Sequence, residues 1–213
     1  MQKKTKILIT GAGGYIGSCL HAYLREKFTI YALDKNNLNP WIKVKENKFF
    51  KCNLLNIRKL KKIVDKIKPD IVIHLAAQST VSSKIDKKKY YLNNVIATKN
   101  LLNAMKISKI NNIIFSSTAA VYKNKKQPIK ESDKLFPKNN YGRSKLFAEK
   151  IIKKENLNFI ILRFFNVSSA ILKPLIGEYH KPETHIIPRS IEKAMKNKKI
   201  VINGKNYSTP DGT

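Results

Sequence analysis

Short apolar runs alternate with longer amphipathic segments from the first residues of the chain onward. A run of about five apolar residues is typical of a strand that is buried on both faces, and apolar residues at helical spacing indicate helices that pack on a core. The predicted strands are 6–10, 29–33, 48–52, 70–74, 112–116 and 159–163. The predicted helices between them are 15–27, 57–67, 90–106 and 141–154.

Strands that are separated by helical crossovers indicate an α/β fold, here a Rossmann-type doubly wound parallel sheet with helices on both faces. In such a sheet a ligand binds beyond the carboxyl ends of the strands. The pattern changes after Arg163. We predict a loop over 166–184, a helix over 188–196 and a strand over 200–202, which would be the beginning of a small C-terminal lobe.

A glycine-rich turn joins the first predicted strand to the first helix. Gly11 allows the tight turn, Gly14 lets the backbone approach a pyrophosphate, and Gly17 lets the helix pack on the strand. Free N–H groups at the positive helix end would meet the pyrophosphate. Asp34 ends the second strand, where a carboxylate can bind ribose hydroxyls and repel a 2′-phosphate. The pattern favours NAD over NADP, and the alternative is a glycine turn that binds no ligand.

Tyr141 and Lys145 stand four residues apart, on one face of a predicted helix. A lysine ammonium, together with an oxidised nicotinamide, lowers the pKa of a phenol, so that the tyrosine can act as a general base on a hydroxyl. The hydroxyl of Thr118, or that of Ser117 beside it, could share the reacting oxygen. The alternative is that the tyrosine and the lysine are a chance pair on a surface helix. The Ser117 and Thr118 hydroxyls would then belong only to a strand-end turn.

These motifs resemble those of the extended short-chain dehydrogenase/reductase family, and within it those of the sugar-nucleotide epimerases. The motifs that carry the resemblance span the whole chain. They are TGAGGYIG at 10–17, HLAA at 74–77, NNV at 93–95, SSTAAVY at 116–122, YGRSK at 141–145, LRFFN at 162–166, PETHIIP at 182–188 and YSTPDGT at 207–213.

The resemblance implies a tightly held NAD and a UDP-hexose substrate, with UDP-glucose and UDP-galactose interconverted through a 4-keto intermediate. It implies that Thr118, Tyr141 and Lys145 are catalytic. The residues that it places at the cofactor are Gly11, Gly14, Tyr15, Ile16, Gly17, Asp34, Asn53, Leu54, Leu75, Ala76, Ala77, Asn94, Tyr141, Lys145 and Phe164. The residues that it places at the substrate are Ser117, Thr118, Asn166, His185 and Ile186.

Three positions depart from the family pattern. Asn53 stands where an aspartate usually contacts adenine, Ser79 where the epimerases often have lysine, and Lys123 where glycine is usual. A further position separates the epimerases from the related dehydratases, which carry an Asp-Glu pair after the strand-end threonine. Ala119 and Ala120 stand there in this chain, so no second acid can expel a hydroxyl as water. The pattern therefore favours an epimerase.

We predict two parts, an NAD-binding Rossmann domain over 1–165 that carries the Tyr–Lys pair, and an incomplete substrate-binding lobe over 166–213. The family continues past 210–213 into elements that clamp the uridine diphosphate. Two alternatives stay open. One is another nucleotide-sugar reductase or dehydratase of the same family, and the other is a truncated module that holds NAD without turnover.

The composition is strongly basic, with a net charge of +29. Only five of the 43 basic residues are arginine, and the lysines are spread over every segment among many isoleucines and asparagines. Proteins that read nucleic acids favour clustered arginines, whereas lysine, isoleucine and asparagine share AT-rich codons. We therefore expect no specific nucleic-acid partner and attribute the charge to genome composition.

Cysteine content and hydropathy indicate the compartment. Cys19 and Cys52 are the only cysteines, and no segment approaches the run of about 20 apolar residues that spans a bilayer. We expect a cytoplasmic protein with no membrane partner and leave a homodimer open. The histidines and glutamates within 178–185 match no zinc-motif spacing, so we predict no metal.

Overall fold

The computed structural model describes residues 4–38, 48–81, 85–125, 127–172, 175–178 and 186–201. Within them, six parallel strands form one sheet in the order β3-β2-β1-β4-β5-β6. The strands are β1 (Lys6–Thr10), β2 (Thr29–Asp34), β3 (Phe49–Lys51), β4 (Ile71–His74), β5 (Asn112–Thr118) and β6 (Asn158–Phe164). This is the strand order of the doubly wound Rossmann sheet, so the predicted fold class is confirmed.

Helices and helical turns connect the strands. The helices are α1 (Tyr15–Leu24), α2 (Ile57–Ile67), α3 (Lys87–Tyr90), α4 (Ala97–Ile107), α5 (Asn140–Ile152) and α6 (Ile186–Met195). A π-helical turn, Tyr91–Ile96, joins α3 to α4, and a 3₁₀ turn, Ala119–Val121, follows β5. Asparagine side chains cap two helices, because Asn56 accepts from the Lys59 N–H and Asn139 accepts from the Gly142 N–H.

The sheet buries apolar side chains on both faces. Successive strand residues point to opposite sides, so in β1 Leu8 belongs to one core while Ile7 and Ile9 belong to the other. The Leu8 core is completed by residues of α2, α4 and α5, and the opposite core by residues of α1. Two buried faces explain why the strands are continuous apolar runs and do not alternate with polar residues.

Some boundaries differ from the predictions. The single helix predicted over 90–106 is α3, the π-turn and α4 in succession, and α1 ends three residues earlier than predicted. The predicted loop 166–184 contains a small antiparallel pair, β7 (Ala170–Ile171) with β8 (Ile176–Gly177). Strands of two residues are too short to show a periodicity, which is why the pattern gave only a loop.

The end of the chain is only partly described. Helix α6 begins at Ile186, two residues before the predicted start. In the strand predicted over 200–202, Ile200 and Val201 are irregular, and residue 202 lies outside the described part. None of the described helices is long and apolar enough to cross a membrane.

Candidate active site

A cavity opens at the carboxyl ends of β1, β4 and β5, where the strand order reverses. Its volume is about 950 Å³, at the upper end of small-molecule pockets. Most of the residues that the sequence placed at a site line this cavity. They are Gly11, Gly14, Tyr15, Ile16, Gly17, Asp34, Asn53, Leu54, Leu75, Ala76, Ala77, Ser117, Thr118, Tyr141, Lys145, Phe164, Asn166 and Ile186. Asn94 is not part of the lining, and His185 lies outside the described residues.

The glycine turn places backbone atoms without side chains at the wall of the cavity. Gly11 has a φ of 73°, and a Cβ atom there would lie 2.6 Å from the backbone nitrogen of Ala76. A Cβ atom at Gly17 would fall on the carbonyl oxygen of Gly11. No side chain caps the start of α1, and its first turn contains no acidic residue. The turn therefore leaves an uncapped helix N-terminus at the cavity wall, where an anion such as a pyrophosphate could bind.

Asp34 is fixed beside this turn. One carboxylate oxygen accepts from the Gly13 N–H at 2.9 Å, and the other accepts from the Asn36 N–H at 2.9 Å. The side chain is 9% exposed and lines the cavity. Two backbone donors fix the orientation of the carboxylate, and its remaining lone pairs can accept from ribose hydroxyls. Glycine turn, helix end and Asp34 together could hold a dinucleotide.

Tyr141 and Thr118 meet on another side of the cavity. The Thr118 hydroxyl accepts from the Ala120 N–H at 3.1 Å and hydrogen-bonds to the Tyr141 phenol. Burial raises the pKa of Tyr141, and the Thr118 hydrogen bond opposes this by lowering it. The two hydroxyls therefore form one unit that could share a proton with a substrate oxygen.

Lys145 lies one helical turn beyond Tyr141 and is 1% exposed. Its Nζ atom stands 4.3 Å from the centroid of the Phe115 ring, a cation–π contact. Burial lowers the pKa of Lys145 to about 7, and the charge of Glu149 partly opposes this shift. Lys145 can therefore change its charge near neutral pH.

Glu149 continues the same face of α5, one turn beyond Lys145, and is 1% exposed. Arg163 binds it through two nitrogens, with Nε 3.1 Å from Oε1 and Nη2 2.8 Å from Oε2. The Ser117 hydroxyl also binds Oε1, and Arg163 donates to the Tyr122 hydroxyl at 2.8 Å. This network ties α5 to the ends of β5 and β6. Because Ser117 is engaged there, the geometry favours Thr118 as the hydroxyl that acts with Tyr141.

Asn94 lies behind the cavity wall, within the π-turn. Its Oδ1 accepts from the Gln78 N–H at 2.7 Å, and its Nδ2 donates to the Ser144 hydroxyl at 2.8 Å. Ser144 in turn donates to the Tyr141 carbonyl at 2.7 Å. Asn94 thus joins the loop after β4 to the helix that carries Tyr141 and Lys145.

A buried histidine extends this network into the sheet. His74 is 1% exposed, with Nδ1 2.7 Å from the Thr10 hydroxyl and Nε2 3.0 Å from the Thr98 hydroxyl. Thr98 donates its own proton to the Asn94 carbonyl at 2.7 Å, so it must accept from His74. The proton of neutral His74 therefore lies on Nε2, and Thr10 donates to Nδ1. Burial lowers the pKa of His74 to about 3, and the positive charge of Lys145 adds to the effect.

Sequence reasoning missed Glu149, Ser144 and Thr98 as parts of this site. Glu149 had a signal, because it repeats the four-residue spacing from Tyr141 to Lys145 along one face of the helix. Ser144 and Thr98 had none, because their partners come from other elements. Asn53 and Ser79 are two of the positions that depart from the family pattern. The Asn53 side chain accepts from the Leu55 N–H at 3.0 Å, and Ser79 lines the cavity.

The strand order, the glycine turn and the Tyr–Lys pair in one cavity define a Rossmann-fold protein of the extended short-chain dehydrogenase/reductase class. The chain belongs to the NAD dependent epimerase/dehydratase family, whose sequence profile matches residues 7–213. The predicted family is confirmed.

Its relatives include a UDP-glucose 4-epimerase from Lactobacillus helveticus, 36% identical over 98% of this chain and 66% of that protein. A UDP-glucose 4-epimerase from Brucella ovis, solved in complex with NAD, is 34% identical with a TM-score of 0.89, covering 98% of this chain and 67% of that one. The enzyme from Bifidobacterium longum, solved with NAD⁺ and UDP, is 30% identical with a TM-score of 0.85, covering 98% and 68%. The chain thus spans about two thirds of the length of the relatives it matches.

Proposed function

We propose that the protein is an NAD-dependent sugar-nucleotide epimerase that interconverts UDP-glucose and UDP-galactose through a 4-keto intermediate. The observation that carries the proposal is that Tyr141 and Thr118 line one cavity with the glycine turn, with Lys145 buried one helical turn from Tyr141. Relatives that bear the name UDP-glucose 4-epimerase, two of them solved with NAD, support the choice of cofactor and substrate.

The residues that line the cavity fit NAD. The bare backbone around Gly11 and Gly17 leaves room for a pyrophosphate at the start of α1, and Asp34 can hold the adenosine ribose. We assign the adenine side to Asn53 and Leu54, and the nicotinamide side to Lys145 and Phe164. When bound, NAD supplies the acceptor and the donor of the hydride at C4 of the sugar.

Tyr141 removes the proton from the sugar 4-hydroxyl and returns it after the keto sugar has turned over in the site. Burial raises the pKa of the phenol, so positive charge nearby is needed to stabilise the phenolate. Lys145 is the chain's own source of that charge, and Thr118 steadies the reacting oxygen. Asn166, His185 and Ile186, with Ser117, contact the nucleotide sugar in this proposal.

We keep the division of the chain that the sequence predicts: an NAD-binding part over 1–165 and part of a substrate-binding lobe over 166–213. We also propose that the protein is cytoplasmic and that it forms a homodimer, which sedimentation can test. A dehydratase is disfavoured because Ala119 and Ala120 offer no acid beside Thr118. A module that only holds NAD is the second candidate, since the chain spans 66% of the Lactobacillus helveticus relative.

Two assays on the purified protein distinguish the epimerase from the module that only holds NAD. We expect NAD to be released from it on denaturation, and UDP-galactose to form when UDP-glucose is supplied. Bound NAD without conversion would overturn the epimerase and leave the NAD-holding module.

Tyr141→Phe tests the assigned base. We expect this variant to keep NAD and to lose about 100-fold or more in turnover, because the phenol oxygen is the proton carrier. Tyr23→Phe is the matched control, since Tyr23 is 70% exposed on α1, and its turnover should equal that of the wild type. Undiminished epimerisation in Tyr141→Phe would refute the assignment.

A further inference from the structure

The hydroxyl of Tyr15 joins two walls of the cavity. It donates to the Ser169 carbonyl at 2.6 Å and accepts from the Ser169 N–H at 2.5 Å. Tyr15 is the first residue of α1 and belongs to the wall that the glycine turn forms. Ser169 follows directly on residues 164–168, which line the opposite wall. One side chain therefore connects segments 154 residues apart in sequence.

Little apolar packing holds the second wall in place. Phe165 is 68% exposed, and Leu172 and Leu175, which follow the wall segment, are 78% and 64% exposed. Among the described residues that follow this wall, Ile176 in β8 is buried, at 1% exposed, and packs against α1. A segment with few buried apolar contacts opens at low free-energy cost, so its remaining attachments control how often it opens.

We propose that Tyr15 and the backbone of Ser169 form a clasp that holds residues 165–169 against the start of α1, beside the glycine turn, and sets the residence time of the bound dinucleotide. The proposal rests on the NAD binding proposed above and adds a role for the Tyr15 hydroxyl. A dinucleotide that spans both walls leaves when the clasp opens. Breaking the clasp should therefore raise the rate of release.

The chemistry of the phenol suits a clasp that stays closed at neutral pH. A neutral hydroxyl can donate and accept at once, whereas a phenolate can only accept. Burial raises the pKa of Tyr15, and the backbone hydrogen bond from Ser169 only partly opposes this. Tyr15 therefore keeps its proton, and with it both hydrogen bonds.

The test compares three variants by two measurements. Tyr15→Phe removes the hydroxyl and keeps the ring, so it breaks the clasp with little change in packing. Ser169→Ala keeps the clasp, because both hydrogen bonds go to the backbone. Tyr23→Phe makes the same chemical change at an exposed position of the same helix. The measurements are backbone hydrogen exchange over 165–172 in the purified protein without added nucleotide, and the rate at which excess NAD displaces bound fluorescent NADH.

We expect Tyr15→Phe to speed exchange over 165–172 and to release NADH about 3- to 10-fold faster, which is the effect of losing one or two hydrogen bonds. Ser169→Ala and Tyr23→Phe should match the wild type in both measurements. Equal exchange and equal release in Tyr15→Phe and Tyr23→Phe would overturn the clasp. If instead the clasp effects are present but UDP-glucose is not converted, the epimerase proposal alone fails.

Discussion

His74 shows how one buried side chain makes the fold sensitive to acid. Its two ring nitrogens are engaged by Thr10 and Thr98, and Thr98, whose own proton is donated to the Asn94 carbonyl, accepts a hydrogen bond from Nε2–H. A proton added at Nδ1 would meet the Thr10 hydroxyl, which would have to reverse its hydrogen bond inside the core. Burial therefore keeps the ring neutral, with a pKa of about 3 against 6.5 for the ordinary group.

We predict an acid-dependent loss of stability that His74→Gln reduces. Between pH 6.5 and 3 the unfolded chain binds a proton at His74 that the folded chain excludes, so the free energy of unfolding falls as the pH falls. This group contributes a slope of about 1.4 kcal/mol per pH unit well below pH 6.5. Urea unfolding between pH 7 and pH 4.5 measures it, and the readout is the slope, whatever the variant's stability at pH 7. Equal slopes in wild type and variant would contradict the prediction.

At the residue scale, the sequence predicted the groups that carry their own pattern. Tyr141 and Lys145 repeat at helical spacing, and Asp34 stands at a strand end that periodicity can locate. The structure brings them to one cavity. It also shows how Glu149 pairs with Arg163 and how Asn94 pairs with Ser144, through hydrogen bonds that cross between elements. Such partners depend on packing angles and distances, which a single sequence does not encode locally.

At the scale of elements, the junction of β1 and α1 leaves little tolerance for added atoms. Gly17 packs on the turn so closely that its Cβ atom would fall on the Gly11 carbonyl oxygen and lie 2.8 Å from the Cα of Ala12. These neighbours are backbone atoms, which cannot move aside as a flexible side chain can. By contrast, a Cβ atom at Gly177 in β8 would find its nearest neighbour at 3.8 Å.

We predict that Gly17→Ala lowers the free energy of unfolding by about 1–3 kcal/mol, the usual cost of overpacking, and weakens NAD retention because α1 must shift. Gly177→Ala is the matched control and should stay within about 0.5 kcal/mol of the wild type. Chemical denaturation and the NAD content of the purified variants measure both effects. A Gly17→Ala protein as stable as Gly177→Ala would show that the turn can relax.

The success of the prediction at this scale depended on element length. Strands buried on two faces and the helix 57–67, with its regular apolar spacing, were placed to within a residue or two. The two-residue strands β7 and β8 left no periodic trace, and the π-turn changes backbone hydrogen bonding without changing the apolar pattern. These features arise from tertiary contacts, so local sequence could not predict them.

At the scale of the whole molecule, the 213 residues carry a net charge of +29. Among the described residues the ion pairs are few, and Arg163–Glu149 is the buried one. Most lysines therefore repel one another across the surface. This repulsion is weaker in the expanded unfolded chain than in the compact fold.

We predict that salt stabilises the protein. Raising sodium chloride from about 20 mM to about 300 mM shortens the screening length and weakens the repulsion among surface lysines, so the Tm should rise by several degrees. An equal osmolarity of a neutral sugar controls for solute effects other than screening. A Tm that is unchanged or lower in salt would mean that attractive surface pairs outweigh the repulsion.

The π-turn at Tyr91–Ile96 has a consequence for how this protein can evolve. The Ala97 N–H donates to the carbonyl of Leu92, five residues back, so the turn holds one residue more than an α-helical turn would. Removing that residue would leave an ordinary α-helical turn, and the helical segments on either side would keep their faces because the turn absorbs the extra residue. The same deletion inside α4 would instead rotate the two sides of that helix by about 100° relative to each other. Within the turn the backbone would tighten and displace Asn94 from Gln78 and Ser144, while Leu101 and Met105 stayed in the core. A one-residue deletion within the turn is therefore expected to be compatible with folding, at the cost of the link from Asn94 to Gln78 and Ser144, whereas the same deletion within α4 would turn core residues out of the core.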